Sequence, residues 1–208
     1  MYGRKIRLGL IFVGFIATLL VAQPVSAALT SVVNDPVGDA VLSPKITAPA
    51  YQDIVEAAIT LKDGRFILVK DLAAPIPATP ALPPGIVLVG WSWNLNTNPA
   101  TFPAGFPFSP GSPAPPEFIV FMLWDGTGFT GIVIDRRPLL TGGEAIITSV
   151  PFDIKRAEIT VRVDAGLLGD PSSFTWVSRT NDWATPFGTN SNFELDRAPN
   201  FGPATWPS

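Results

Sequence analysis

Two Asp-Gly pairs, each flanked by apolar β-type runs, constrain this chain more than any other feature. The first is Asp63-Gly64, inside Lys62-Asp63-Gly64-Arg65. The second opens Asp125-Gly126-Thr127-Gly128. A tight hairpin needs positive φ at its tip, and Asp-Gly supplies it at little steric cost. In the run before the first turn, Val55, Ala57, Ile59 and Leu61 share one parity with Asp53 at its start. A carboxylate there is expected at the rim of the buried face. Residues 118–124 and 129–136 form the second predicted hairpin.

Further runs extend the β pattern. Residues 86–95 read as a strand with Val87, Val89, Trp91 and Trp93 on one side and Ile86, Leu88 and Gly90 on the other. Residues 157–164 alternate strictly, with Ile159, Val161 and Val163 inward and Glu158, Thr160, Arg162 and Asp164 outward, as in a half-buried antiparallel strand. Shorter strands are expected at 29–33, 145–150 and 173–179, and one helical turn at 165–170. The stretch 71–85 holds five prolines and reads as a stiff connector. The loop 94–116 is long and carries Phe102, Phe106 and Phe108. Beyond Asn181 the chain is turn-rich, and the tail 198–208 either wraps the fold or frays. About eight short strands without a long helix predict an all-β, two-sheet antiparallel sandwich, jelly-roll-like, with a closed barrel as the alternative.

The first 27 residues are expected to lie outside that domain. Arg4, Lys5 and Arg7 precede the apolar run 8–22, and Val25-Ser26-Ala27 follows. This is the layout of a cleaved signal peptide, with cleavage after Ala27. As a helix the apolar run reaches about 22 Å, short of the ~30 Å hydrocarbon core of a bilayer. Export to the extracellular space or periplasm follows, with no stable membrane span after cleavage. Residues 28–208 then form a single domain, a length that buries a sizeable core.

Composition excludes several functions. Cysteine is absent, so no disulfide supports an exported chain. Histidine is absent too, which removes Ser-His-Asp catalysis, ordinary zinc sites and histidine-ligated haem. Lysine and arginine total 14 against 17 acidic residues, and three of the 14 sit in the leader. No basic cluster remains to neutralise phosphates, so nucleic acid is not an expected partner. No motif marks a nucleophile or a general base, and the chain is read as non-catalytic.

Two candidate sites remain. Asp35-Pro36-Val37-Gly38-Asp39 carries two carboxylates around a glycine able to curl the loop. With Asp53, they are the predicted ligands of a calcium ion, helped by Asn34 or backbone oxygens. Asp196 is a more distant candidate. The competing reading makes Asp35 and Asp39 turn formers that accept backbone N–H bonds. The second site is aromatic. Trp93 and Trp183 are nominated for ligand stacking, with Trp183 and Trp206 expected at the surface. Against this, Trp91 and Trp93 share parity with Val87 and Val89 and are suited to a core.

The motifs Asp35-Pro-Val-Gly-Asp39, Tyr51-Gln-Asp-Ile54, Trp93-Asn-Leu-Asn96, Leu167-Leu-Gly-Asp170 and Asp196-Arg-Ala-Pro-Asn200 occur in this order. The order resembles exported bacterial and archaeal β-sandwich domains related to family-nine carbohydrate-binding modules and DOMON-like sandwiches. The resemblance implies a ligand-binding or accessory module. Its haem-binding branch uses a Met and His pair, which a chain without histidine lacks. Its carbohydrate-binding branch uses N-terminal acidic residues for structural calcium, matched by Asp35, Asp39 and Asp53, and two tryptophans to clamp a sugar. The partner implied is a glycan or cell-envelope component. The alternative is a cell-surface structural or protein-interaction domain without glycan binding.

Overall fold

The structure, a computed structural model, describes residues 28–43, 46–98, 116–185 and 192–208. The leader, and the loop phenylalanines Phe102, Phe106 and Phe108, lie outside the described residues. The strands are β1 (Leu29–Asn34), β2 (Val41–Ser43), β3 (Ile46–Thr47), β4 (Ile54–Lys62), β5 (Arg65–Leu72), β6 (Leu88–Asn96) and β7 (Phe118–Trp124), followed by β8 (Phe129–Asp135), β9 (Ile146–Ser149), β10 (Phe152–Lys155), β11 (Glu158–Asp164), β12 (Phe174–Trp183), β13 (Asn192–Ala198) and β14 (Ala204–Trp206). One sheet has the order β1-β4-β5-β11-β10. The other runs β13-β12-β6-β7-β8-β9, with β14 also on β12, and β2 and β3 form a small ribbon. All pairings are antiparallel. The main core lies between the two large sheets, giving the expected sandwich.

Both predicted hairpins form. Asp63 and Gly64 adopt φ of 50° and 72°, and Lys62 pairs Arg65 across the tip. In the second, Asp125 Oδ1 accepts the N–H groups of Thr127 and Gly128, at 2.8 and 2.9 Å. That side chain closes the turn in place of a backbone carbonyl. The alternating strand also forms as read, with Ile159, Val161 and Val163 fully buried. The late strand is longer than expected, β10 arises where no element was read, and β13 and β14 arise in the segment read as turn-rich.

One register shift corrects the parity reading of β4. Ile54 pairs Leu72 but Glu56 pairs Asp71, so Val55 is an extra residue. The bulge re-aims everything before it. Ile54 becomes fully buried and Val55 only half so. Asp53 is drawn in under the preceding loop instead of standing at the rim.

The seven-stranded sheet is apolar on both faces. Val89, Trp91, Trp93 and Leu95 fill the main core. On the opposite face Leu88, Ile119, Phe121, Leu123, Ile132, Ile134 and Trp183 form a second cluster. Gly90 belongs to that outer face. A Cβ built on it would lie 2.6 Å from the Trp183 ring and 2.9 Å from Leu123. Gly90→Ala is therefore expected to destabilise the protein by about 1–3 kcal/mol through overpacking, read as a lower urea midpoint with unchanged slope.

A lysine interrupts the main core. Lys70 points inward from β5 alongside Phe66, Leu68 and Leu72 and is fully buried. Its Nζ donates to the carbonyls of Arg179 (2.7 Å) and Ser92 (3.2 Å), which are register partners on β12 and β6. It also stands 4.7 Å from the centroid of the Trp93 ring. One side chain thus crosses from one sheet to the backbone of the other. Burial holds its pKa well below the ordinary lysine value, and the charge of Asp196 offsets part of that.

Candidate metal centre

The loop between β1 and β2 carries Asp35 and Asp39. The Asp35 N–H is held by Val55 O at 2.9 Å, at the bulge of β4. Gly38, at φ 90°, turns the loop back and donates its N–H to Asp53 Oδ2 at 2.7 Å. Asp53 therefore acts from beneath the loop as its anchor.

The third carboxylate of the cluster comes from the far end of the chain. Asp196 sits on β13 opposite Thr180 of β12. Carboxylate oxygens of Asp35, Asp39 and Asp196 all lie within 4.8 Å of one another. Oxygens bound to one calcium at about 2.4 Å can be separated by no more than about 4.8 Å. The grouping thus meets the distance requirement for a shared ion. Asp196 is oriented by two N–H donors, Ile54 to Oδ2 at 2.5 Å and Arg197 to Oδ1 at 2.7 Å. Asp39 is exposed, and its Oδ2 accepts from Asn200 Nδ2 at 2.7 Å.

Electrostatically the cluster is unsettled. Asp35 is only 8% exposed, Asp53 only 4%, and Asp35 Oδ2 and Asp53 Oδ1 are buried without a hydrogen-bond donor. Burial, then the charges of Asp196 and Asp39, push Asp35 up to about 7. Burial likewise raises Asp196 to about 6, against the lowering effect of its two N–H donors. No ion pair among the described residues reaches these aspartates. Arg197, next to Asp196 in sequence, turns instead to Glu194 at 2.8 Å. Crowded carboxylates without a cation favour either protons or a metal ion. The donors are all oxygen, which suits a hard cation such as calcium.

The predicted ligands thus sort in two ways. Asp35 and Asp39 fall in the cluster, and Asp53 stands behind it as second support. Asp196, the distant candidate, takes the third position, and Asn200 was not foreseen at all. Asn34 closes β1 in register with Glu56. The turn-former reading accounts for Asp53 and for part of Asp196, whose oxygens accept backbone N–H bonds. It leaves the Asp35 oxygen unexplained.

The aromatic expectation needs correction. Trp93 is fully buried under Lys70. Trp183 and Trp206, expected at the surface, are buried as well. Trp183 packs edge-on to Phe121 at 5.6 Å, and Trp206 stacks on Phe174 at 5.0 Å. None of these rings offers a free face to a sugar. Trp183 lies on the part of β12 beyond the expected end at residue 179, and Trp206 lies on β14, which the turn-rich composition concealed. The exposed aromatics of this region are Phe193, on β13, and Phe201, in the loop between β13 and β14.

The outward acids behave as surface charges. Asp164 pairs with Arg65 at 2.8 Å in the open, and Glu158 accepts from Thr160. No helix among the described residues is long and apolar enough to cross a membrane. No family model, curated protein or solved structure matches this chain.

Proposed function

We propose that the protein is an exported, non-catalytic binding or accessory module of the cell envelope, held in its working shape by a calcium ion. The observation that carries this reading is the buried Asp35 oxygen without a donor, facing Asp39 and Asp196 and backed by Asp53. Asp35, Asp39 and Asp196 would hold the ion, with water or ligand oxygens completing the shell. The ion would remove the repulsion among the carboxylates and join the β1–β2 loop to β13.

A thermal melt in millimolar calcium and in chelator tests this. At one hundred times its dissociation constant, an ion that binds only the folded state adds about 2.7 kcal/mol. A rise in Tm of several degrees is expected, and it should vanish in Asp39→Ala. An unchanged melt in calcium would sink the metal centre.

A second reading is favoured by one surface feature. β9 is the free edge of the larger sheet, and its Ile146 and Ile147 are exposed near exposed Leu140. An apolar strand edge of this kind suits strand addition by a protein partner. Ile147→Lys would abolish such pairing, seen as loss of a self-associated species in light scattering, and would leave the calcium response intact.

A further inference from the structure

We propose that the outer face of the five-stranded sheet is a self-complementary interface, on which a second copy of this chain packs about a two-fold axis running across the strands. The inference goes beyond the calcium reading and uses a surface separate from the β9 edge.

Register sorts this face into rows. At one end Asn34, Glu56, Asp71, Glu158 and Lys155 lie side by side on β1, β4, β5, β11 and β10. Lys155 is taken by Asp153 at 3.2 Å. No ion pair among the described residues reaches Glu56, Asp71 or Glu158. Like charges opposite one another on neighbouring strands destabilise a sheet that stands alone. The middle carboxylate registers this, since burial, then Glu158 and Glu56, raise the Asp71 pKa.

The far end has the opposite sign. Lys62, Arg65 and Asp164 lie side by side on β4, β5 and β11. Arg162 stands one row further in, opposite Ile67. Asp164 is paired with Arg65, and no ion pair among the described residues reaches Lys62 or Arg162. Three basic side chains against one acid leave this end with two positive charges in surplus. Between the ends, on β1, β4 and β5, the face is neutral. Val32, Ala58 and Val69 form one row, and Thr30, Thr60 and Ile67 the next. Val32 is 49% exposed and the other five are half-buried. Thr30 and Thr60 bond to each other at 3.1 Å.

This layout selects both the occupant and the symmetry. A face that is acidic, neutral and basic along its strands complements its own copy once the strand direction is reversed. A two-fold axis across the strands does this, and it lays β5 over β5 with Asp71 of each copy towards Arg65 of the other. An axis along the strands would set acid on acid. A partner of a single sign would be repelled at one end. From Glu56 to Lys62 the rows span about 20 Å, and the five strands span about 19 Å across. Two such faces bury about 800–1,200 Å², at the low end for a specific interface. A dimer in exchange with monomer is the form this area supports.

Sedimentation equilibrium over about 1–300 μM protein tests the interface. A monomer–dimer equilibrium is expected, weakened about tenfold or more between low salt and about 0.5 M sodium chloride. Asp71→Lys and Arg65→Glu should each be monomeric, because each sets like charge on like. An equimolar mixture of the two variants should dimerise again, since the substituted positions then carry opposite charges and the unsubstituted ones already do. Asp71→Lys also relieves the crowding by Glu56 and Glu158, so its Tm should not fall below that of the parent. A parent that stays monomeric throughout would overturn the inference. Failure of the mixture to recover, with both variants folded by circular dichroism, would overturn the pairing of opposite ends. A dimer kept by both charge variants but lost in Ile147→Lys would overturn it in favour of the β9 edge.

Discussion

In chelator the protein is expected to lose stability as the pH rises from about 4 to about 7, the reverse of ordinary acid denaturation. Asp35, raised from 3.8 to about 7, and Asp196, raised to about 6, keep protons in the folded state that the unfolded chain has already released. The folded state binds more protons between about pH 4 and pH 7, so the unfolding free energy falls across that window. For Asp35 the shift corresponds to roughly 4 kcal/mol at 1.4 kcal/mol for each pH unit, reduced to about 2–4 kcal/mol by solvent on the Asp39 side. Saturating calcium should invert the slope, because the ion binds the ionised carboxylates. Asp35→Asn separates the two effects. In chelator near pH 8 it should be more stable than the parent by about 2 kcal/mol, having lost a buried charge that faces like charges. It should also lose most of the calcium response. Urea titrations at a series of pH values, with and without calcium, read all of this. A parent protein that loses no stability relative to Asp35→Asn between about pH 4 and pH 8 in chelator would mean the carboxylates are not crowded, and taking that difference cancels the opposite slope from Lys70.

Lys70→Met is the second large effect, and its sign is positive. A lone amine among Phe66, Leu68 and Trp93 costs desolvation free energy that two carbonyls and one indole face only partly return. Methionine keeps most of the volume without the charge, and a gain of about 1–3 kcal/mol at neutral pH is expected. Lys70→Ala removes the stem as well and should lose about 2–4 kcal/mol to the cavity. The pH profile identifies the cause. The folded-state pKa of Lys70 is depressed, so the unfolded chain binds the extra proton below the ordinary lysine value of 10.5. Stability of the parent should therefore climb as the pH approaches 10.5, and that climb should be absent in Lys70→Met. Equal slopes in the two proteins would show that the amine stays protonated in the core.

Local chemistry made the hairpins readable, because a turn with two positive-φ residues is determined by the residues that form it. The alternation of Glu158–Asp164 was readable for the same reason. The strands β13 and β14 were not. They are short, β13 carries polar residues at Asn192, Glu194, Asp196 and Arg197, and β12 alone gives them a ladder to join. Trp206 was misplaced with β14, and Trp183 because β12 runs on past residue 179. The acidic loop was legible at Asp35, Asp39 and Gly38. Its partner was not, since Asp196 reaches the site only through the pairing of β13 with β12. Asp53 looked like a ligand by spacing, but the extra residue Val55 makes it the support for the Gly38 N–H. Lys70 shares the parity of Phe66 and Leu68, yet alternation alone would not place an amine in a core.

The bond from Asn200 to Asp39 spans 161 positions of the chain. β1 and β13 are edge strands of different sheets, one near each end of the described fold. An ion shared by Asp35, Asp39 and Asp196 would act as a clasp across almost the whole length of the chain. Tension at the N-terminus would first peel β1 from β4, and at the C-terminus β14 from β12, because both ladders lie outside Asp35 and Asp196 in the chain. The clasp would then hold what remains, so resistance to further pulling or trimming would follow the calcium level around the protein.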